Sequence, residues 1–126
     1  MVYRRVRDPK EVLVIFKTHL RPEADRDAYE RVSNRMHELA SKMPGFISIK
    51  GYTGEDGEVI DVARFTDEAS LQAWKIEPEH REAQRRGREE FYDRFWVQVC
   101  NVAREYEFTP DSQPSRSPGR GRSVTG

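Results

Sequence analysis

The chain has 126 residues, of which 35% are charged and 36% hydrophobic, with 22 basic residues against 22 acidic ones. That length corresponds to about one domain with a modest core. A zero net charge gives no electrostatic case for a nucleic-acid partner, and no apolar run approaches the roughly 20 residues of a membrane span.

The opening MVYRRVRDPKEV has no apolar stretch followed by a small-residue cleavage site, so no secretory signal is expected. The single Cys100 fits a reducing compartment, and a cytoplasmic location is the expectation. Residues 1–10 read as a polar, turn-like lead-in ending at Asp8-Pro9-Lys10. Glu11 to Leu20 is the first predicted strand, rich in β-branched and aromatic residues (Val12, Val14, Ile15, Phe16, Thr18). From about Ala24 to Met43, the residues Tyr29, Val32, Met36, Leu39, Ala40 and Met43 recur at helical spacing, and Pro44-Gly45 ends that helix. His37, beside Met36, reads as a surface residue.

Phe46 to Tyr52 is the second strand, Gly54-Glu55-Asp56-Gly57 is a hairpin signal, and Glu58 to Phe65 is the third strand. In that strand Val59, Asp61, Ala63 and Phe65 share one face, and Ile60, Val62 and Arg64 share the other. Asp67 can cap a helix running to about Ile76, with Leu71 and Trp74 inward. Pro78 interrupts it, and a second helical piece follows from about Glu79 to Arg86, stopping near Gly87. The last strand runs from Arg94 toward Phe108; at about 13–15 residues it exceeds the usual three to ten. The Pro, Gly, Ser and Arg content of 109–126 cannot bury a core and reads as a disordered tail, leaving 1–108 as the domain.

The order strand, helix, strand, strand, helix, strand predicts an α+β, ferredoxin-like β-α-β-β-α-β fold, one antiparallel sheet with its helices on one face. The bare face would then be covered by a second copy, giving a homodimer. The stretch from Arg64 to His80 organises the candidate pocket. It carries Trp74 and, beyond the break at Pro78, His80. Trp74 can pack, stack on a planar substrate or donate its indole N–H. His80 can act as a base near neutrality. Arg64 can hold a phenolate or carboxylate. His19, at the end of the first strand, can face the same pocket. No His/Cys/carboxylate cluster has metal-ligand spacing, and no phosphate loop or nucleophile elbow is present.

Over about residues 10–108 the chain resembles the antibiotic biosynthesis monooxygenase (ABM) family of dimeric α+β barrels. The likeness rests on VLVIFKTHL, KMPGFISIKGY, EVIDVARFTDEASLQAWK, PEHREAQRRGREEFYDRFWVQV and REYEF. It implies a homodimer that oxygenates a phenol- or quinol-type aromatic molecule with dioxygen and no cofactor. The alternatives it brings are a haem-degrading enzyme of the same fold and a non-catalytic dimer that binds a small molecule. Trp74 matches the helix tryptophan of the family. Ser70 stands where the quinone-forming branch has an asparagine, four residues before that tryptophan. About ten residues after it, where the haem branch has its axial histidine, this chain has Gln84, and His80 comes at six. Trp74 and His80 are thus the expected catalytic residues, and Arg64, Ser70 and His19 the expected substrate-binding ones.

Overall fold

The structure, a computed structural model, describes residues 2–5 and 10–110. In chain order the elements are β1 (Val2–Arg5), β2 (Val12–Leu20), α1 (Arg26–Ala40), β3 (Phe46–Thr53), β4 (Val59–Phe65), α2 (Glu68–Lys75) and α3 (Pro78–Arg86). A π-helical turn, Gly87–Phe91, follows, and then β5 (Tyr92–Asn101) and β6 (Tyr106–Thr109). Two compact units result, one built on 10–101 and one containing β1 and β6.

The larger unit holds a four-stranded antiparallel sheet in the order β3-β4-β2-β5. This is the expected α+β ferredoxin-like sheet. The central pairing sets Val12 against Phe65, Val14 against Ala63 and Phe16 against Asp61. With a period of two, Val12, Val14, Phe16 and Thr18 share one face with Phe65, Ala63, Asp61 and Val59. The helices cover this face. Leu13, Ile15, Lys17 and His19 point the other way, with Ile60, Val62 and Arg64. The core joins the sheet residues Val12, Ala63 and Phe65 to Ala40, Leu71 and Trp74 from the helices. Phe65 is wholly buried.

Local chemistry fixes the helix ends. The Asp25 carboxylate accepts from the Ala28 N–H at 3.0 Å, and the Asp67 carboxylate accepts from the Ser70 N–H at 2.8 Å. Glu77 accepts from the His80 N–H at 2.9 Å, and Pro78 takes the first helical position, where its missing N–H costs nothing. The proline read as an interruption is therefore the start of α3. Gly45 has φ of 82°, and a Cβ there would collide with Ser70, so glycine is needed at this turn twice over.

Two expectations need correction. Residues 2–5 form a strand instead of a lead-in: β1 pairs antiparallel with β6, Arg4 opposite Glu107, with an ion pair of 3.1 Å between them. The last strand is also not continuous to Phe108. It stops at Asn101, and β6 starts at Tyr106 as part of the other unit. Of the tail expected from Thr109, residues 111–126 lie outside the described residues.

Candidate functional site

A cavity of about 370 Å³ lies between the covered sheet face and helices α1, α2 and α3. That is within the range of small-molecule sites. Its walls are largely apolar: Val14, Phe16, Met36, Ile49, Leu71 and Phe91 are among them. Phe95, Val97 and Val99 from β5 line it too, although they are 38%, 51% and 49% exposed. The cavity is thus least enclosed along β5, the edge strand.

Trp74 and His80 meet on this cavity. Trp74 is inward on α2, in the core cluster with Phe65 and Leu71. Six residues on, the Glu77 cap and Pro78 turn the chain into α3, which brings the His80 imidazole back over the indole. The rings are parallel within 10° with centroids 3.9 Å apart. His80 Nδ1 lies 2.9 Å from the Trp74 carbonyl oxygen. A carbonyl only accepts, so Nδ1 carries the proton and donates, and Nε2 keeps the lone pair. Burial pushes the His80 pKa below its usual value, against the hydrogen bond to Trp74 and the charge of Glu77. The ring is therefore neutral at pH 7. Gln84 donates its side-chain amide to the Lys75 carbonyl at 3.3 Å.

The other three expected site residues do not reach the cavity. Arg64 is on the opposite sheet face and donates to the Glu11 carboxylate at 2.7 Å, an ion pair that ties β4 to the start of β2. Ser70 is packed against Gly45 and Thr66, with its Oγ 3.4 Å from the Thr66 hydroxyl. It braces the Pro44-Gly45 turn against α2. His19 also sits on the opposite face. Its Nε2 is 3.5 Å from the Glu58 carboxylate, and its ring lies parallel to Trp96 at 6.4 Å.

Four cavity residues were not anticipated. Asp61, Tyr29, His37 and Tyr92 form a polar group on the same wall. Asp61 Oδ1 is 3.9 Å from His37 Nε2. Burial raises the Asp61 pKa and the charge of His37 opposes the rise. Burial also raises Tyr92 and Tyr29, and the negative charge of Asp61 adds to both. His37 is half-exposed at the cavity wall, not a plain surface residue. One signal in the sequence pointed here: Asp61 is a carboxylate in the inward series Val59, Asp61, Ala63, Phe65.

The π-helical turn positions the last of these residues. Arg21 donates from Nη2 to the Arg88 carbonyl at 2.8 Å, from Nη1 to Glu89 at 2.8 Å and from Nε to Tyr92 at 3.0 Å. One planar guanidinium thus satisfies three carbonyls that the turn leaves unpaired. Gly87 is buried, and a Cβ there would collide with the Tyr92 ring. Among the described residues no group of His, Cys, Asp and Glu could hold a metal ion, and no helix is long and apolar enough to cross a membrane.

Residues 11–86 match the family model described as antibiotic biosynthesis monooxygenase. An uncharacterized protein of Bacillus subtilis (strain 168), YqjZ, is 30% identical over 101 residues, covering 80% of this chain and 87% of that protein. Among solved structures, Rv0793 from Mycobacterium tuberculosis aligns with a TM-score of 0.64 and 22% identity, over 83% of this chain and 99% of its own. SnoaB from Streptomyces nogalater, described as a cofactor-independent oxygenase, aligns with a TM-score of 0.63 and 15% identity, over 74% of this chain and 93% of its own. The structural likenesses are likenesses of fold. The family match and the relative from Bacillus go further: the chain belongs to the antibiotic biosynthesis monooxygenase family.

Proposed function

We propose that this chain is a monooxygenase that acts with dioxygen, and no cofactor, on a planar phenol- or quinol-type molecule. One observation carries the reading: an imidazole fixed flat on Trp74 and tied to its carbonyl stands at the wall of a largely apolar cavity. Membership of the family and the fold shared with SnoaB support it. Trp74 and His80 are the residues assigned to the chemistry.

The phenolic O–H gives its proton to His80 Nε2, producing an imidazolium and a phenolate. The electron-rich ring gives one electron to dioxygen. The two radicals combine by forming a C–O bond at a ring carbon that bears hydrogen, and the imidazolium returns its proton to the peroxide. Loss of water from the resulting hydroperoxide leaves a carbonyl, so one oxygen atom enters the product and the other leaves as water. The apolar walls keep competing water away from the anion. The test is mass spectrometry of the product made under heavy-isotope dioxygen. One labelled oxygen per product molecule is expected; label from water alone contradicts the reading.

The residues do not fit haem in the manner of the family's haem-degrading branch. The tenth residue after Trp74 is Gln84, whose amide is engaged with the Lys75 carbonyl, and an amide is a poor ligand for iron. His80 lies flat on Trp74. Haem added to the pure protein should leave the Soret band where it is for free haem.

A homodimer in the cytoplasm completes the proposal. Its support is apolar exposure on the sheet face opposite the helices, where Tyr52 is 44% and Trp96 38% exposed. Sedimentation velocity should give twice the chain mass; a stable single subunit removes this part.

A further inference from the structure

Among the described residues, Asp61 has an ionic partner in His37 but no hydrogen-bond donor. It is a carboxylate on an inward strand face, flanked in that series by Val59 and Ala63. Its side chain is 21% exposed, and it lines the cavity. Among the described residues none donates a hydrogen bond to it. His37 Nε2, at 3.9 Å, is beyond hydrogen-bond reach. Tyr29 and Tyr92 feel its charge, but Tyr92 donates its hydroxyl to Tyr29, and the Tyr29 oxygen also has Ser33 as a partner. Beside it, in register on β3, stands Gly51, where a Cβ would come to 3.0 Å from Asp61 Oδ1. Glycine there keeps the carboxylate's flank clear.

A half-buried carboxylate without donors is costly unless something supplies them. We infer that the donor is the ligand: Asp61 accepts a hydrogen bond from a hydroxyl on the aromatic substrate, at a point remote from His80. Asp61 lies four residues along β4 from Phe65, roughly 13 Å at the rise of a strand. Phe65 belongs to the cluster around Trp74. A ligand that spans the cavity therefore meets His80 at one end and Asp61 at the other. The preferred substrate carries a second hydroxyl remote from the reacting one, and Asp61 sets that specificity. Tyr29, Tyr92 and His37 border the same spot and shape it.

This rests on the proposed aromatic site, and the test separates the two. Calorimetric titration with 2,6-dihydroxynaphthalene and with its dimethyl ether measures the value of the hydroxyls. Wild type should prefer the diol by about ten- to hundredfold, the range for leaving a buried acceptor without its donor. Asp61→Leu, which has similar size and no acceptor, should lose about tenfold or more of that preference, and Asp61→Asn should fall between. Circular dichroism and a melting curve check that each variant is folded, and the two substitutions guard against a failure of either. If wild type binds diol and ether equally, or Asp61→Leu keeps the full preference, Asp61 is not the acceptor and the aromatic cavity still stands. If wild type binds neither compound, the aromatic site itself is wrong and the inference goes with it.

Discussion

The two ends of the cavity are built on opposite principles. At one, Trp74 and His80 are stacked, and the His80 N–H and Nδ1 both have partners within the protein. At the other, Asp61 stands with His37 at 3.9 Å and no hydrogen-bond donor among the described residues. The same force, removal from water, acts on both with opposite results. It lowers the pKa of His80 and raises that of Asp61, because in each case the charged form is the one disfavoured. Both groups are thus held toward neutrality. A base that is unprotonated at pH 7 and an acceptor awaiting a donor are complementary parts of one site for a hydroxylated ring.

Removing the support of the packed end should have the largest effect. Phe65→Ala deletes a wholly buried ring beneath Trp74 and should destabilise the fold by about 3–5 kcal/mol, read from urea denaturation. A loss under 1 kcal/mol would mean that this end is not the rigid one. Gly87→Ala strikes the other end, where the new methyl meets the Tyr92 ring. Its expected cost is about 1–3 kcal/mol, with near-ultraviolet dichroism of the tyrosines altered. An unchanged melting curve would show that the π-helical turn yields freely.

The pH dependence distinguishes the ends by sign. The folded-state pKa of His80 is depressed, so its contribution is full above the unfolded value and is lost as pH falls below about 6.5. Asp61 is raised, so its contribution is present at low pH and is lost as pH rises through its folded pKa. His80→Gln should therefore flatten the fall in melting temperature between pH 7 and pH 5. Asp61→Asn should raise the melting temperature at pH 7 and leave it nearly unchanged near pH 3. Equal shifts at both pH values would contradict the burial argument for Asp61.

Legibility in the sequence followed the range of the interactions. Period-two runs, helical stripes and the Pro44-Gly45 and Gly54–Gly57 turns are local, and they place β2, β3 and β4 to within a few residues. Trp74 and His80 were readable as neighbours because a proline follows a capping glutamate between them. The long apolar run after Arg94 carries no glycine or proline, so nothing local marked the gap between Asn101 and Tyr106. β1 was invisible because VYRR is short and polar and exists as a strand only by pairing with residues a hundred positions away. Arg64 and His19 are candidates by chemical capability and Ser70 by its match to a family position, and neither ground reveals which partner a side chain has. Glu11, Gly45 and Glu58 had already taken them. Asp61 is legible as the one carboxylate on the strand face of Val59, Ala63 and Phe65, but only the packing shows that this face borders a cavity.

Oxygen uptake tests the central claim most directly. The purified protein, treated with chelator and free of haem, is given a panel of fused phenols and quinols, with His80→Ala and Trp74→Phe measured alongside. Uptake by wild type that falls by about 10²-fold or more in His80→Ala, with that variant folded, is the result predicted for a base at this position. No uptake by wild type across the panel, or equal rates in wild type and both variants, would contradict it.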